Sequence, residues 1–471
     1  MTQEVKPVKK RREMDMLHGS LLDKILLFAL PLAASSILQQ LFNSADIAVV
    51  GHFAGRQALG AVGSNTAAIN LLTNLFVGLS VGANVVIGHF IGLGRKREIK
   101  DVIHTVISVA LLSGVFLLVI GQFLAKPILL ITNSPLDVLP LATIYLRIYF
   151  LGMPFVMLYN FGSAILRSKG DTKRPLYALL LAGVVNVGLN LLLVIVFHLG
   201  VAGVGIATVL ANGVSAGMIL YFLTHEEETF RLDLRKLSWN RDYFLRVFRI
   251  GAPAGLQGMV FSLSNVCIQT AINGFGSQAV AGSAAAVNFE FFTYFMVSAF
   301  SQAAVTFTSQ NFGAGNYQRC KRIFRICMVA ALAATLCMSA AFVIFRNPFI
   351  RIYTPEEDVI QYALVRILHV EVFACLPSLY EVSGSALRGM NHSLLPALLT
   401  VFGSCVLRVL FLFTVFLWAG RSFEVLMNVY PFTWVTTSVM VLAAYFIIRR
   451  REFKQPPPKE REVLAEETAG T

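Results

Sequence analysis

The chain has 471 residues and a formal net charge of +13. Hydrophobic residues make up 56% of it and charged residues only 14%, with a mean hydropathy of +0.69. Soluble domains average about 25% charged residues, so charge this sparse cannot cover a water-facing surface of this size. A soluble enzyme, a coiled coil and a disordered chain are excluded; a polytopic membrane protein remains.

Residues 1–20 are basic (Lys6, Lys9, Lys10, Arg11, Arg12) and have no short apolar core ahead of a small-residue cleavage site. They are expected to form a cytoplasmic tail and not a cleaved signal. Apolar stretches long enough to cross about 30 Å of hydrocarbon then recur twelve times. They lie near 25–50, 57–91, 102–125, 138–166, 175–198, 201–224, 244–273, 278–312, 324–345, 358–387, 395–418 and 424–448. Several exceed 25 residues, which predicts tilting or bending. The fold class is therefore an all-α polytopic membrane protein.

Lysine and arginine orient it. With the N-terminus inside, the inner segments hold 31 of the 39 basic residues, the outer segments 5, and Arg147, Arg366 and Arg408 fall within spans. This asymmetry places both termini in the cytoplasm. It also assigns the positive charge to topology, so nucleic acid is not an expected partner.

The longest polar interruption, Thr224–Asp242, splits the spans six and six. Expected units are a tail (1–20), an N-lobe of helices 1–6 (21–224), an inter-lobe loop (225–243), a C-lobe of helices 7–12 (244–450) and a tail (451–471). The halves repeat. Leu166-Arg167 matches Leu387-Arg388, Pro175 matches Pro396, and Gly92-Leu-Gly94 matches Gly313-Ala-Gly315, all at an offset of 221; Pro31 and Pro253 pair at 222. Six spans separate the copies, so the repeats are parallel about an axis along the membrane normal, an architecture of secondary transporters.

Of six cysteines, five lie in apolar stretches and Cys320 in a basic loop, without ligand spacing. They are expected to be core residues. Gly213-Val-Ser-Ala-Gly217 matches a nucleophile elbow but lies in an apolar span with no preceding strand, so helix packing explains it better. No phosphate-binding G-x-x-x-x-G-K-[ST] loop occurs.

Four carboxylates fall well inside spans: Asp46, Glu290, Glu371 and Glu381. A charge at the membrane centre costs about 2.5–3.5 kcal/mol on insertion scales, so each is a functional candidate. The alternative is an ion pair with Arg147, Arg366 or Arg408. Asp46 has Asn186 and Asn190 at a similar depth, on one face of span 5, and Thr208 on span 6. One carboxylate with neutral oxygens suits a proton or a monovalent cation such as sodium. Glu290 sits among Phe289, Phe291, Phe292, Tyr294 and Phe295, which suits a lipophilic cation. Glu381, Glu371 and Arg408 are weaker candidates.

Together these residues resemble the multidrug and toxic compound extrusion (MATE) family across roughly residues 17–450. The resemblance rests on Pro31 with Leu41-Phe-Asn-Ser-Ala-Asp46-Ile-Ala-Val-Val-Gly51. It rests also on Tyr145–Pro154 running to Ala164–Thr172, and on Asn186…Asn190 with Gly200–Thr208. In the second half it rests on Ser309–Gly315 and Gly384–Gly389. It implies two six-helix lobes around a central cavity and export of cationic amphipathic compounds against inward flow of protons or sodium ions. It also implies a cation site at Asp46, Asn186 and Thr208. Asn190 stands where some members carry a second aspartate.

The expected protein is thus a secondary active multidrug antiporter of the cell membrane, not an enzyme. It needs no cofactor beyond the coupling ion and is expected to be a monomer, with lipid and small organic cations or amphipathic drugs as partners. Pro31 is the expected hinge of span 1. A lipid-linked saccharide flippase of the same superfamily is the first alternative. An intramembrane enzyme is disfavoured by the missing catalytic constellations, and the major facilitator fold by the missing aspartate in the Gly92–Arg97 turn.

Overall fold

The computed structural model describes residues 14–53, 56–131 and 138–458. The expectations for residues 1–13 and 459–471 lie outside the described residues, as does the side chain of Arg56. Every regular element among the described residues is helical. The first half contains α1 (Leu22–Phe53), α2 (Arg56–Leu93), α3 (Lys96–Ile131) and α4, made of Leu139–Leu151 and Met153–Ser168. It closes with α5, made of Lys173–Asn190 and the π-helical turn Leu191–Val196, and α6 (Gly200–Thr224).

The second half contains α7 (Arg241–Asn273), α8 (Ser277–Gly313), α9 (Tyr317–Ile344) and α10, made of Glu357–His369, Glu371–Phe373 and Leu376–Gly389. Then come α11, running from Leu394–Val401 through the π-helical turn Phe402–Val406 to Leu407–Phe413, and α12, made of Phe423–Met427 and Val429–Glu452. Nine of these twelve are long and apolar enough to cross a membrane as they stand; α4 and α10 do so as pairs bent by 49° and 43°. The predicted bending is thus concentrated where Pro154 and Pro377 begin the second pieces and cannot donate the N–H that would continue the first.

The twelfth, α7, is 33 residues long. Gln257, Ser262, Ser264, Asn265 and Gln269 give it a polar middle. Large apolar side chains are bare on the bundle surface, with Phe123 76% and Trp418 90% exposed. A surface so apolar is at rest only against hydrocarbon.

The repeat predicted from sequence reappears as contacts. A Cβ added to Gly92 would lie 2.1 Å from the carbonyl oxygen of Gln310, and one added to Gly313 would lie 2.4 Å from that of His89. Each partner in one contact lies 221 residues from its counterpart in the other, so these contacts straddle the pseudo-two-fold axis. Nearby, Asn84 Nδ2 donates to Thr306 Oγ1 at 2.9 Å.

All of this lies at the basic end of the bundle, where the segments rich in lysine and arginine gather. There the Arg319 guanidinium donates to the carbonyls of Met16, His18 and Gly19, tying the residues before α1 to the C-lobe. In the other direction, the last inter-lobe hydrogen bond among the described residues is from Asn74 Nδ2 to Ser262 Oγ, 3.0 Å. The lobes therefore meet along the basic half and leave a cleft toward the opposite end.

Cys320 departs from the expectation of a loop residue: it sits in the first turn of α9, 2% exposed, with its Sγ 4.0 Å from the Thr308 carbonyl. The helix starts earlier because Asn316 turns the chain tightly after Gly315, which has φ +74°. The inter-lobe segment after Thr224 is also packed. Glu226 accepts from Lys169 at 2.5 Å and pairs with Arg174, locking the turn between α4 and α5 to the end of α6.

Burial works against ionisation of Glu226, but Lys169 and Arg174 outweigh it and hold the carboxyl below its ordinary range. Glu226→Gln should cost about 1–3 kcal/mol of stability, below the figure for a fully buried pair because water is near. A depressed carboxylate stabilises above its unfolded pKa of about 4.3 and loses that contribution as pH falls through its lowered folded value. Thermal unfolding in detergent should therefore show the deficit at pH 7 and not under acid conditions, where the parent has lost the pair as well.

Candidate functional site

The N-lobe side of the cleft is built from α1, α4, α5 and α6. Phe42 on α1 lies over Gly183 of α5, where any Cβ would overlap the ring at 1.8 Å. That close approach brings the next turns together, Asp46 on one helix and Asn186 on the other. Asp46 is 8% exposed; its Oδ1 accepts from Asn190 Nδ2, which also donates to Asn186 Oδ1 at 3.2 Å. Among the described residues no cationic side chain pairs with Asp46. The π-helical turn begins directly after Asn190; such a turn re-aims a helix and recurs at functional sites.

Asn190 Oδ1 is left buried with no partner. A buried carboxylate beside an unsatisfied amide oxygen fits a proton or sodium ion, since either would remove an uncompensated charge and use the spare acceptor. Thr208 faces the same region, but its hydroxyl donates to its own helix at Val204 O, 2.9 Å. The structure thus joins Asp46, Asn186 and Asn190 directly and leaves Thr208 a neighbour. Sequence reasoning missed Tyr145 and Tyr149 of α4. Their rings stack 6.2 Å apart, both lie within electrostatic reach of Asp46, and the Tyr145 side chain meets Thr208.

The C-lobe candidates fare differently. Glu290 is not a free acid waiting for cargo. Arg366 grips it through Nε at 2.6 Å and Nη2 at 2.9 Å while donating to Ser283 Oγ at 2.6 Å. This is the pairing that the sequence offered as the alternative, with Arg366 as the partner: a charge among aromatics in a membrane is tolerable once a bidentate guanidinium neutralises it. Glu371 lies at the break of α10, fully buried, accepting from Thr293 Oγ1 at 2.5 Å with its Oε2 unpartnered. Glu381 forms no hydrogen bond or ion pair among the described residues; Tyr294, Tyr380 and Arg388 lie within its electrostatic reach. Arg408 is 1% exposed and donates to Asn265 Oδ1 at 2.8 Å. Pro31 lies inside an unbroken α1, with Ser35 Oγ donating to its carbonyl at 2.8 Å.

The chain resembles known proteins along most of its length. The family model MatE matches it twice, over residues 31–192 and 253–414. The probable multidrug resistance protein YpnP of Bacillus subtilis is 27% identical over 412 residues, covering 87% of this chain and 91% of its own length. The probable multidrug resistance protein YoeA of the same organism is 25% identical over 386 residues, covering 80% and 83%. Among solved structures, the outward-facing conformation of a multidrug resistance MATE family transporter superimposes with a TM-score of 0.86. It has 21% identity and covers 95% of this chain and all of that one. The fold is the twelve-helix, two-lobe fold of those transporters. The relatives are transporters, not enzymes.

Proposed function

We propose, from the premise that the chain belongs to the MatE family, that it exports cationic and amphipathic organic compounds in exchange for protons or sodium ions bound at Asp46. The observation that carries the reading is the buried Asp46 carboxylate, held by Asn190 and without a cationic partner among the described residues. Such a charge is stable only when a mobile cation completes it.

The mechanism follows from differential affinity. In the arrangement described above the lobes are closed at the basic end, and the cleft opens away from it. The positive-inside rule puts that basic end in the cytoplasm, so this is the arrangement that releases cargo outside and admits the coupling ion. Ion binding removes the charge penalty at Asp46 and lets α1, α5 and α6 pack closely. Cargo binding favours the site without the ion. Each ligand shifts the two arrangements only by its preference for one of them. Pro31 has no N–H to donate to the Leu27 carbonyl, which gives α1 a point at which to bend between them.

The reading places the protein in the cell membrane as a monomer with both tails cytoplasmic. Its test is ethidium efflux from vesicles containing the purified chain, with an imposed sodium gradient compared with an imposed pH gradient. Accumulation against the ethidium gradient under one of them is the expected result. Equilibration alone under both would overturn the antiport reading.

A further inference from the structure

The lobe opposite Asp46 carries a buried positive charge that nothing neutralises. Arg408 of α11 has a guanidinium with five N–H donors. One nitrogen, Nη1, donates to Asn265 Oδ1 at 2.8 Å; Nε and Nη2 are buried with no acceptor. Its planar face lies over Tyr430 at 5.0 Å and near Phe261 at 5.2 Å. No carboxylate lies within ion-pair distance among the described residues, and Glu290 is already taken by Arg366, which shares the Tyr430 ring at 5.2 Å. An arginine inside a membrane bundle is expensive unless paired. Ring contacts recover part of that cost but satisfy no N–H.

The repeat gives this arginine its meaning. Both ends of the second MatE match lie 222 residues beyond those of the first. Pro31 and Pro253 share that offset, which carries Asp46 onto Ile268, one turn from Asn265 on α7. Pro175 and Pro396 are 221 apart, which puts Arg408 one residue past the counterpart of Asn186 on α11. The C-lobe thus has an apolar residue at the counterpart of the acid and a cation beside the counterpart of an amide. The counterpart also borders the cleft. Gly258 and Ser262 of α7 meet Asn74 across the lobes, and Asn265, one turn further along the same face, is exposed where the lobes part.

We propose that Arg408 seats a carboxylate of the cargo, which displaces the Asn265 amide oxygen and lies against Phe261 and Tyr430. The cleft is then dipolar, acid on the N-lobe and base on the C-lobe, and it favours zwitterionic aromatic compounds over simple cations. Asn265 is the lid of this subsite: its amide oxygen is a weaker acceptor than a carboxylate, so exchange is favourable, and a bidentate oxyanion in its place takes Nη1 together with the idle Nη2. The proposal rests on the export reading, and its test separates the two.

Binding is measured on the purified full chain in detergent, without any gradient, using three fluorescent probes: norfloxacin (a zwitterion), norfloxacin ethyl ester (its carboxylate masked) and ethidium (a fixed cation). Arg408→Gln should weaken norfloxacin at least about tenfold and leave the other two within about twofold. Asn265→Asp places a carboxylate in front of the guanidinium and should exclude norfloxacin with the same selectivity. It also relieves the buried charge, so it decides the matter if Arg408→Gln does not yield monodisperse protein. Equal losses for all three probes, or unchanged norfloxacin binding in Asn265→Asp, would overturn the subsite. Parent protein that bound ethidium but not norfloxacin would overturn it too and leave the export reading standing. Parent protein that bound none of the three would remove both.

Discussion

Asp46→Asn is expected to abolish gradient-driven efflux while leaving a folded protein that still binds drug. The substitution keeps the side chain's shape and its contact with Asn190, and removes the group that can exchange charge. In the parent, Asn190 Nδ2 donates to the carboxylate and Asn186 backs Asn190; an amide at 46 can rotate to present its own oxygen to the same donor. Stability should therefore change little and does not account for a loss of transport. One-for-one exchange of a monovalent ion for ethidium moves no net charge, so the ion gradient alone drives it; a tenfold ion gradient supplies about 1.4 kcal/mol and sustains a drug gradient of about tenfold. Vesicles with parent protein should approach a gradient of this order, whereas the variant should only equilibrate ethidium. Binding of ethidium in detergent should persist but weaken, because the fixed amide mimics the ion-completed site, which cargo disfavours. Uphill pumping by the variant at near the parent rate would move coupling to another acid, with the unpartnered carboxylate of Glu371 the first to examine.

The parts of this architecture that were legible in the sequence are those written in pattern. Charge asymmetry and the Leu166–Leu387 and Gly92–Gly313 correspondences encode topology and symmetry directly. The contacts of Gly92 with Gln310 and of Gly313 with His89 realise the same offset in space. Asp46, Asn186 and Asn190 stood out because a polar group in an apolar stretch has to be used or satisfied. Partner choice was not legible. Glu290 had three arginines within spans to choose from, and its pairing with Arg366, 76 residues away, depends on how α8 packs against the bent α10. Tyr145 and Tyr149 belong to the Tyr145–Pro154 motif but gave no sign of a site, since tyrosines are ordinary in membrane helices; what places them beside Asp46 is the break of α4 at Gly152 and the approach of α6. Thr208 lay at the right depth, but a hydroxyl with a free carbonyl one turn back bonds to its own helix first.

Gly255→Leu should keep the chain folded and deny it the arrangement described here. On α7, a Cβ at residue 255 would sit 2.2 Å from the Leu75 carbonyl oxygen, and a Cβ at Gly78 opposite would sit 2.2 Å from the backbone nitrogen of Gly255. The obstacle on each side is main chain, which no rotamer change can move. Ordinary contact is about 3.5–4.0 Å, so α2 and α7 would have to part by at least about 1.5 Å, and a full leucine side chain demands more. Within the C-lobe, α7 keeps its own neighbours: Ser264 Oγ still reaches the Ser404 carbonyl and Ser393 Oγ the Ile250 carbonyl. The damage thus falls on the seam between lobes. Close packing of glycines is what holds that seam shut where no hydrophobic force acts in lipid, and losing it shifts the population toward a form open at the basic end. Spin labels on the basic-end turns near residues 95 and 318 should show a longer distance in the variant than in the parent, and ethidium efflux should fall to the level of empty vesicles. Parent-like distances together with parent-like efflux would mean that the seam yields without opening and that closure at the basic end is carried elsewhere, first of all by the Arg319 clasp on Met16, His18 and Gly19.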